Sequence, residues 1–110
     1  MSVARLGLIA RLNDELRRTF TGGKIMMTAG ISALPDDAKA KVLSAVRSFD
    51  DFIEDNDPHK EHDFGSVEVD GEKCFWKIDY YDKSMEYGSE NPADAAVTTR
   101  VLTIMLASEY

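Results

Sequence analysis

A single cysteine, Cys74, stands among 110 residues. That excludes an intrachain disulfide and any zinc site built from several thiolates. No run of about 18 apolar residues occurs, so the sequence offers no membrane span. The opening MSVARLGLIARLNDELRRTF has an apolar stretch around residues 7–10. It is too short for a signal peptide, Arg11 interrupts it, and no small-residue cleavage site follows. Cations are in deficit: 13 Lys and Arg face 20 Asp and Glu, for a net charge of −7. A generic nucleic-acid binder needs a cationic surface, so direct nucleic-acid binding is not expected. The expectation is a cytoplasmic protein without a membrane partner.

What is present is an ordinary globular balance, 44% hydrophobic and 30% charged residues. Residues 1–110 are expected to form one domain. Residues 1–49 hold eight basic and four acidic residues, and the remainder five basic and 16 acidic. No Ser/Gly-rich linker or internal repeat separates the two, which points to two faces of one domain.

Val3, Leu6, Ile9, Leu12, Leu16 and Phe20 recur at spacings of three and four, the pattern of one helix face. Ser2 can cap this helix, Arg17 and Arg18 suit its last turn, and Gly22-Gly23 can end it. KIMMTAGIS, residues 24–32, alternates and predicts a strand. A second helix is expected from Pro35, with Asp36 and Asp37 in its first turn. Its apolar stripe is Ala38, Val42, Ala45, Val46, Phe49 and Ile53. An acidic loop, residues 50–63, follows. Asn91-Pro92 suggests a cap and first turn for a last helix, apolar over most of its circumference at Val97, Val101, Leu102, Ile104 and Met105.

The sharpest local signal is a hairpin over residues 64–81. FGSVEV and EKCFWKIDYY flank Asp70-Gly71, a preferred type I′ turn. Facing residue numbers then sum to 141. Gly65 faces Trp76, so a large indole has room, and Glu68 faces Lys73. The expected fold is α+β in the order α-β-α-β-β-α: a small, mainly antiparallel sheet with helices packed mostly on one face.

The hairpin register sorts the candidate chemistry. Val67, Val69, Cys74, Trp76, Ile78 and Tyr80 fall on the core face, which makes Cys74 a small buried hydrophobe. Phe64, Phe75, Lys77, Asp79 and Tyr81 fall on the other. Aromatics mixed with charge make that second face a candidate binding surface, and ordinary half-exposed surface is the competing reading. His59, Glu61, His62 and Asp63 crowd into five positions, with His62 placed opposite Asp79. The functional reading is an acid–base pair or a metal site, and the ordinary reading is a hydrogen bond closing the hairpin base. Arg100 lies in an apolar run: either it snorkels at the edge of the core, or it is buried and needs an acid partner, for which Asp79, Asp82 and Asp63 are the candidates. No metal site is expected. The sequence lacks His-Glu-x-x-His and Pro-Cys-x-x-Cys, and the acidic loop lacks an EF-hand's glycine and terminal glutamate. No cofactor is implied.

EHDFG (61–65), FWKIDYYD (75–82) and TTRVLTIMLASEY (98–110), with ARLNDELRRTF (10–20) and TAG (28–30), resemble a bacterial family known as domain of unknown function 3768. The resemblance implies a small protein often carried on plasmids and mobile elements. It implies no activity and no catalytic residues. The functional expectation is therefore a non-enzymatic interaction module with an unidentified protein partner. It could act as a mobile-element accessory protein or as a DNA-mimic inhibitor of a DNA-handling complex. A homodimer through the hairpin face is a further possibility. The alternative is a small hydrolase or nuclease using His62 with Asp79, and Arg100 against an anionic transition state.

Overall fold

A computed structural model describes residues 3–110, with side chains from Gly7 onward. The Ser2 cap and the Val3 and Leu6 positions of the first apolar stripe lie outside those described side chains. The chain is α+β, with helices α1 (Val3–Thr19), α2 (Ala29–Ser32) and α3 (Asp36–Ser48). Its strands are β1 (Lys24–Met27), β2 (Phe64–Val69), β3 (Glu72–Tyr81) and β4 (Thr99–Leu106), and a 3-10 turn covers Ala107–Glu109. The four strands form one sheet in the order β1-β4-β3-β2.

The hairpin forms in the expected register. Gly65 pairs Trp76, Val67 pairs Cys74 and Glu68 pairs Lys73. Asp70 and Gly71 both have positive φ, 52° and 80°, as a type I′ turn requires. Other expectations about the elements need correction. Residues 99–106 are a strand rather than the expected last helix, and that strand is central, with β1 on one side and β3 on the other. Burial on both faces makes such a strand apolar all round, which periodicity cannot tell from a buried helix. Val97, expected inside that helix, lies ahead of the strand and is exposed. Next, β1 runs parallel to β4, so the sheet is mixed rather than mainly antiparallel. Last, the strand expected over residues 24–32 stops at Met27. Thr28 begins the single turn α2, which carries Ile31 into the core.

Register places alternate residues on opposite faces. Met27, Ile104, Trp76 and Gly65 form one row across the sheet, on the helix side. Met26, Thr103, Lys77 and Phe64 form the neighbouring row, on the other side. The core lies on the helix side, where Leu16, Ile31, Val42 and Val46 pack on Cys74, Trp76, Ile78, Leu102 and Ile104. Trp76 is fully buried between this layer and Gly65. Helix α3 ends before Ile53, the last residue of its expected stripe, and Ile53 is exposed.

Candidate functional site

Polar side chains converge in two places, one on each side of the sheet. On the helix side, Asn13, Asp14 and Arg17 line the inner face of α1. Asn13 and Arg17 have no exposed surface. Asn13 Nδ2 donates to the Tyr80 hydroxyl at 2.8 Å and to the Glu61 carbonyl at 2.9 Å. Its Oδ1 accepts from Arg100 Nε at 2.8 Å. Arg100, 3% exposed, also donates to the Pro92 carbonyl and lies 5.3 Å from the Tyr80 ring centre. None of Asp63, Asp79 and Asp82, the expected partners, bonds it; neutral oxygens and a ring surround the charge instead. Burial lowers the Arg100 pKa, and the Tyr80 and Glu61 charges oppose that shift. Burial also pushes the Tyr80 hydroxyl well above its ordinary value.

Arg17 donates to the carbonyls of Val46 and Arg47 at 3.0 and 3.1 Å, and to Asp14 at 3.1 Å. A buried cation thus satisfies the last carbonyls of α3, where the helix dipole favours positive charge. Its guanidinium lies over the rings of Phe52 and Trp76 at 5.4 and 5.2 Å. Desolvation is the main cause of its lowered pKa, and Asp14 opposes it.

His62 joins this network through Asp14, whose carboxylate is 3.0 Å from Nδ1. Its Nε2 lies 3.7 Å from Asp57, and its ring stacks on Phe52 at 3.9 Å. Asp57 Oδ1 accepts from the backbone of Glu61 and His62, both at 3.1 Å. The expected His62–Asp79 pair does not form. His62 has φ 56°, which turns its side chain out of the β2 ladder toward α1. Asp79 points away from the helices and pairs with Lys77 at 3.2 Å. His62 and Arg100 therefore share the helix side, and Asp79 is across the sheet from both. Asn13, Arg17 and Arg100 are buried, whereas Asp14 and His62 keep 18% and 29% of their side chains exposed. His62 and Asp57 line a cleft of their own with Phe52, Ile53, Glu54 and Lys60.

The helices pack on only one side of the sheet, and the other side is exposed in part, with Val101 and Met105 buried on it. Phe64, Phe75 and Tyr110 form an aromatic cluster at one end, with ring centres 5.3 to 6.0 Å apart. At the other end a cleft of about 570 Å³ is lined by Lys24, Met26, Tyr81, Met85, Val101 and Thr103, among others. Lys77 and Asp79 lie between the two. All five residues expected to form a binding surface, Phe64, Phe75, Lys77, Asp79 and Tyr81, are partly exposed on this side. Sequence reasoning missed Met26, Met85 and Thr103, which complete it. Met26 is 54% exposed, an unusual state for a strand methionine. The alternation in KIMM carried that signal, but only the strand's partner shows which side is uncovered.

Residues 27–109 match the family described as a protein of unknown function (DUF3768). The chain belongs to that family. No curated protein and no solved structure gave a match. The DUF3768 match spans β2, β3 and β4, and so the whole open face except Lys24, Met26 and Tyr110.

Proposed function

We propose that the protein is a non-enzymatic protein-interaction module that holds its partner on the open side of the sheet. One observation carries this reading. The helices cover one sheet face, and the other presents methionines and aromatic rings interleaved with Lys24, Lys77 and Asp79 around a cleft. Rings and methionines supply contact area at small entropic cost, and the charges set orientation. The His62, Asp79 and Arg100 set of the hydrolase alternative is not assembled: Arg100 is buried in its bond to Asn13, and Asp79 lies across the sheet from His62. The net charge of −7 disfavours nucleic acid as the occupant.

A photo-crosslinking amino acid placed at Thr103, on the open face, tests the reading in cells. The control position is Ser44, exposed on α3. The expected result is a discrete protein adduct from Thr103, absent from Ser44 and lost in Asp79→Lys. Equal labelling from both positions, or none from Thr103, would overturn it.

A further inference from the structure

The outer edge of β1 is a second feature of the cleft. Thr28 N–H donates to the Ile104 carbonyl at 3.1 Å, so Thr28 turns its amide toward β4. In a parallel ladder, alternate residues turn both N–H and C=O to the same neighbour. Met26 therefore faces β4, and Ile25 and Met27 direct their backbone groups outward. Strand β1 is an edge strand, and no described residue bonds those outward groups. The cleft opens directly beside this edge, on the Met26 side. Lys24 lines it, and no described carboxylate lies within ion-pairing distance of its ammonium.

We infer that a partner adds a fifth strand along β1. This deepens the interaction reading and rests on it. The occupant is an extended segment that pairs its backbone with Ile25 and Met27. Side chains of an added strand alternate, so one large apolar residue enters the cleft against Met26, Tyr81 and Met85. An acidic residue two positions away, on the same face, meets Lys24. The protein's own negative field repels a strongly acidic chain, so the segment carries a single acid beside its apolar anchor rather than an acidic run. Backbone pairing gives affinity, and the cleft with Lys24 gives sequence preference.

A displayed library of random 12-residue peptides, panned on the full chain, supplies the probe. Enriched peptides are expected to share a large apolar residue with an acid two positions away. In amide NMR, one such synthetic peptide should protect the Ile25 and Met27 N–H groups. Lys24→Glu should weaken binding at least about tenfold. Met27→Pro removes an outward N–H without touching the β4 ladder, and it should abolish binding. Circular dichroism confirms that each variant is folded. Should Met27→Pro unfold the chain, Thr103→Trp, which fills the cleft from the central strand, replaces it with the same expected loss. No enriched peptide, or protection elsewhere than β1, would overturn the inference. So would a dimer in solution that protects the same amides, because a second copy would then own the edge. Crosslinking from Thr103 without protection at β1 would leave the interaction reading standing and remove only the fifth strand.

Discussion

Arg100 Nε donates to Asn13 Oδ1 at 2.8 Å across 87 positions of sequence, and the bond ties α1 to the central strand. Both residues are buried, so the amide oxygen stands in for water around a charge. Asn13 also holds Tyr80 and the carbonyl of Glu61, which makes it the hub of the helix-side network.

Replacing Asn13 by Ala leaves a buried guanidinium and a buried hydroxyl short of a partner. The expected destabilisation is at least about 2 kcal/mol in urea unfolding. Arg100→Met removes the charge and keeps much of the volume. Combined with Asn13→Ala, it should cost clearly less than the two single changes added together. Strict additivity would show that Arg100 does not depend on Asn13.

Gly65 is needed because of Trp76. A β-carbon at residue 65 would lie 2.5 Å from Trp76 Nε1. The indole is rigid and fully buried, so it has no free direction in which to yield. Gly65→Ala should destabilise the protein by about 1–3 kcal/mol, read by thermal unfolding. The same change at Gly71 meets no neighbour, and any cost there reflects its positive φ alone.

Glu61 and Asp63 have carboxyl groups raised above their ordinary values of 4.5 and 3.8, chiefly by burial. The charge of Asp63 raises Glu61 further. The folded chain therefore binds more protons than the unfolded one between the ordinary and the raised values. The stability these groups contribute is complete below about pH 4 and is lost as pH rises through the folded values. Glu61→Gln should be more stable than the parent at neutral pH, and the difference should close toward about pH 3. Parallel urea titrations of parent and variant check this. A constant difference across the range would mean that Glu61 is not held above its ordinary value.

The hairpin was legible because its information is local. Asp70-Gly71 sets the turn, the turn sets the register, and the register sorts every side chain from Phe64 to Tyr81. Helix α3 was legible for a similar reason, since Pro35 and two aspartates mark its start. Strand β4 was not. Leu102, Ile104 and Leu106 make it apolar on one face and Val101 and Met105 on the other, Asn91-Pro92 imitates a helix start, and its identity depends on partners 77 residues earlier and on the hairpin.

The candidate site divides along the same line. Phe64, Phe75, Lys77, Asp79 and Tyr81 follow from alternation alone. The partner of His62 did not, because the left-handed backbone at residue 62 breaks the rule that facing numbers sum to 141. Its carboxylate comes from Asp14, 48 residues away. One clue was overlooked: Asn13 and Arg17 stand at the helical spacing of Ile9 and Leu16, so the apolar stripe of α1 carries polar residues into the core.

The position of β4 also governs assembly. The turn at Asp70-Gly71 lets β2 and β3 meet early, but β1 has no strand to lie beside until residues 99–106 slide between it and the hairpin. Long-separation pairing of this kind is slow, and partial sheets are costly to leave open. Until β4 docks, the methionines of β1 and both of its backbone edges lack a strand partner within the described chain and stay available to any other strand in the cell.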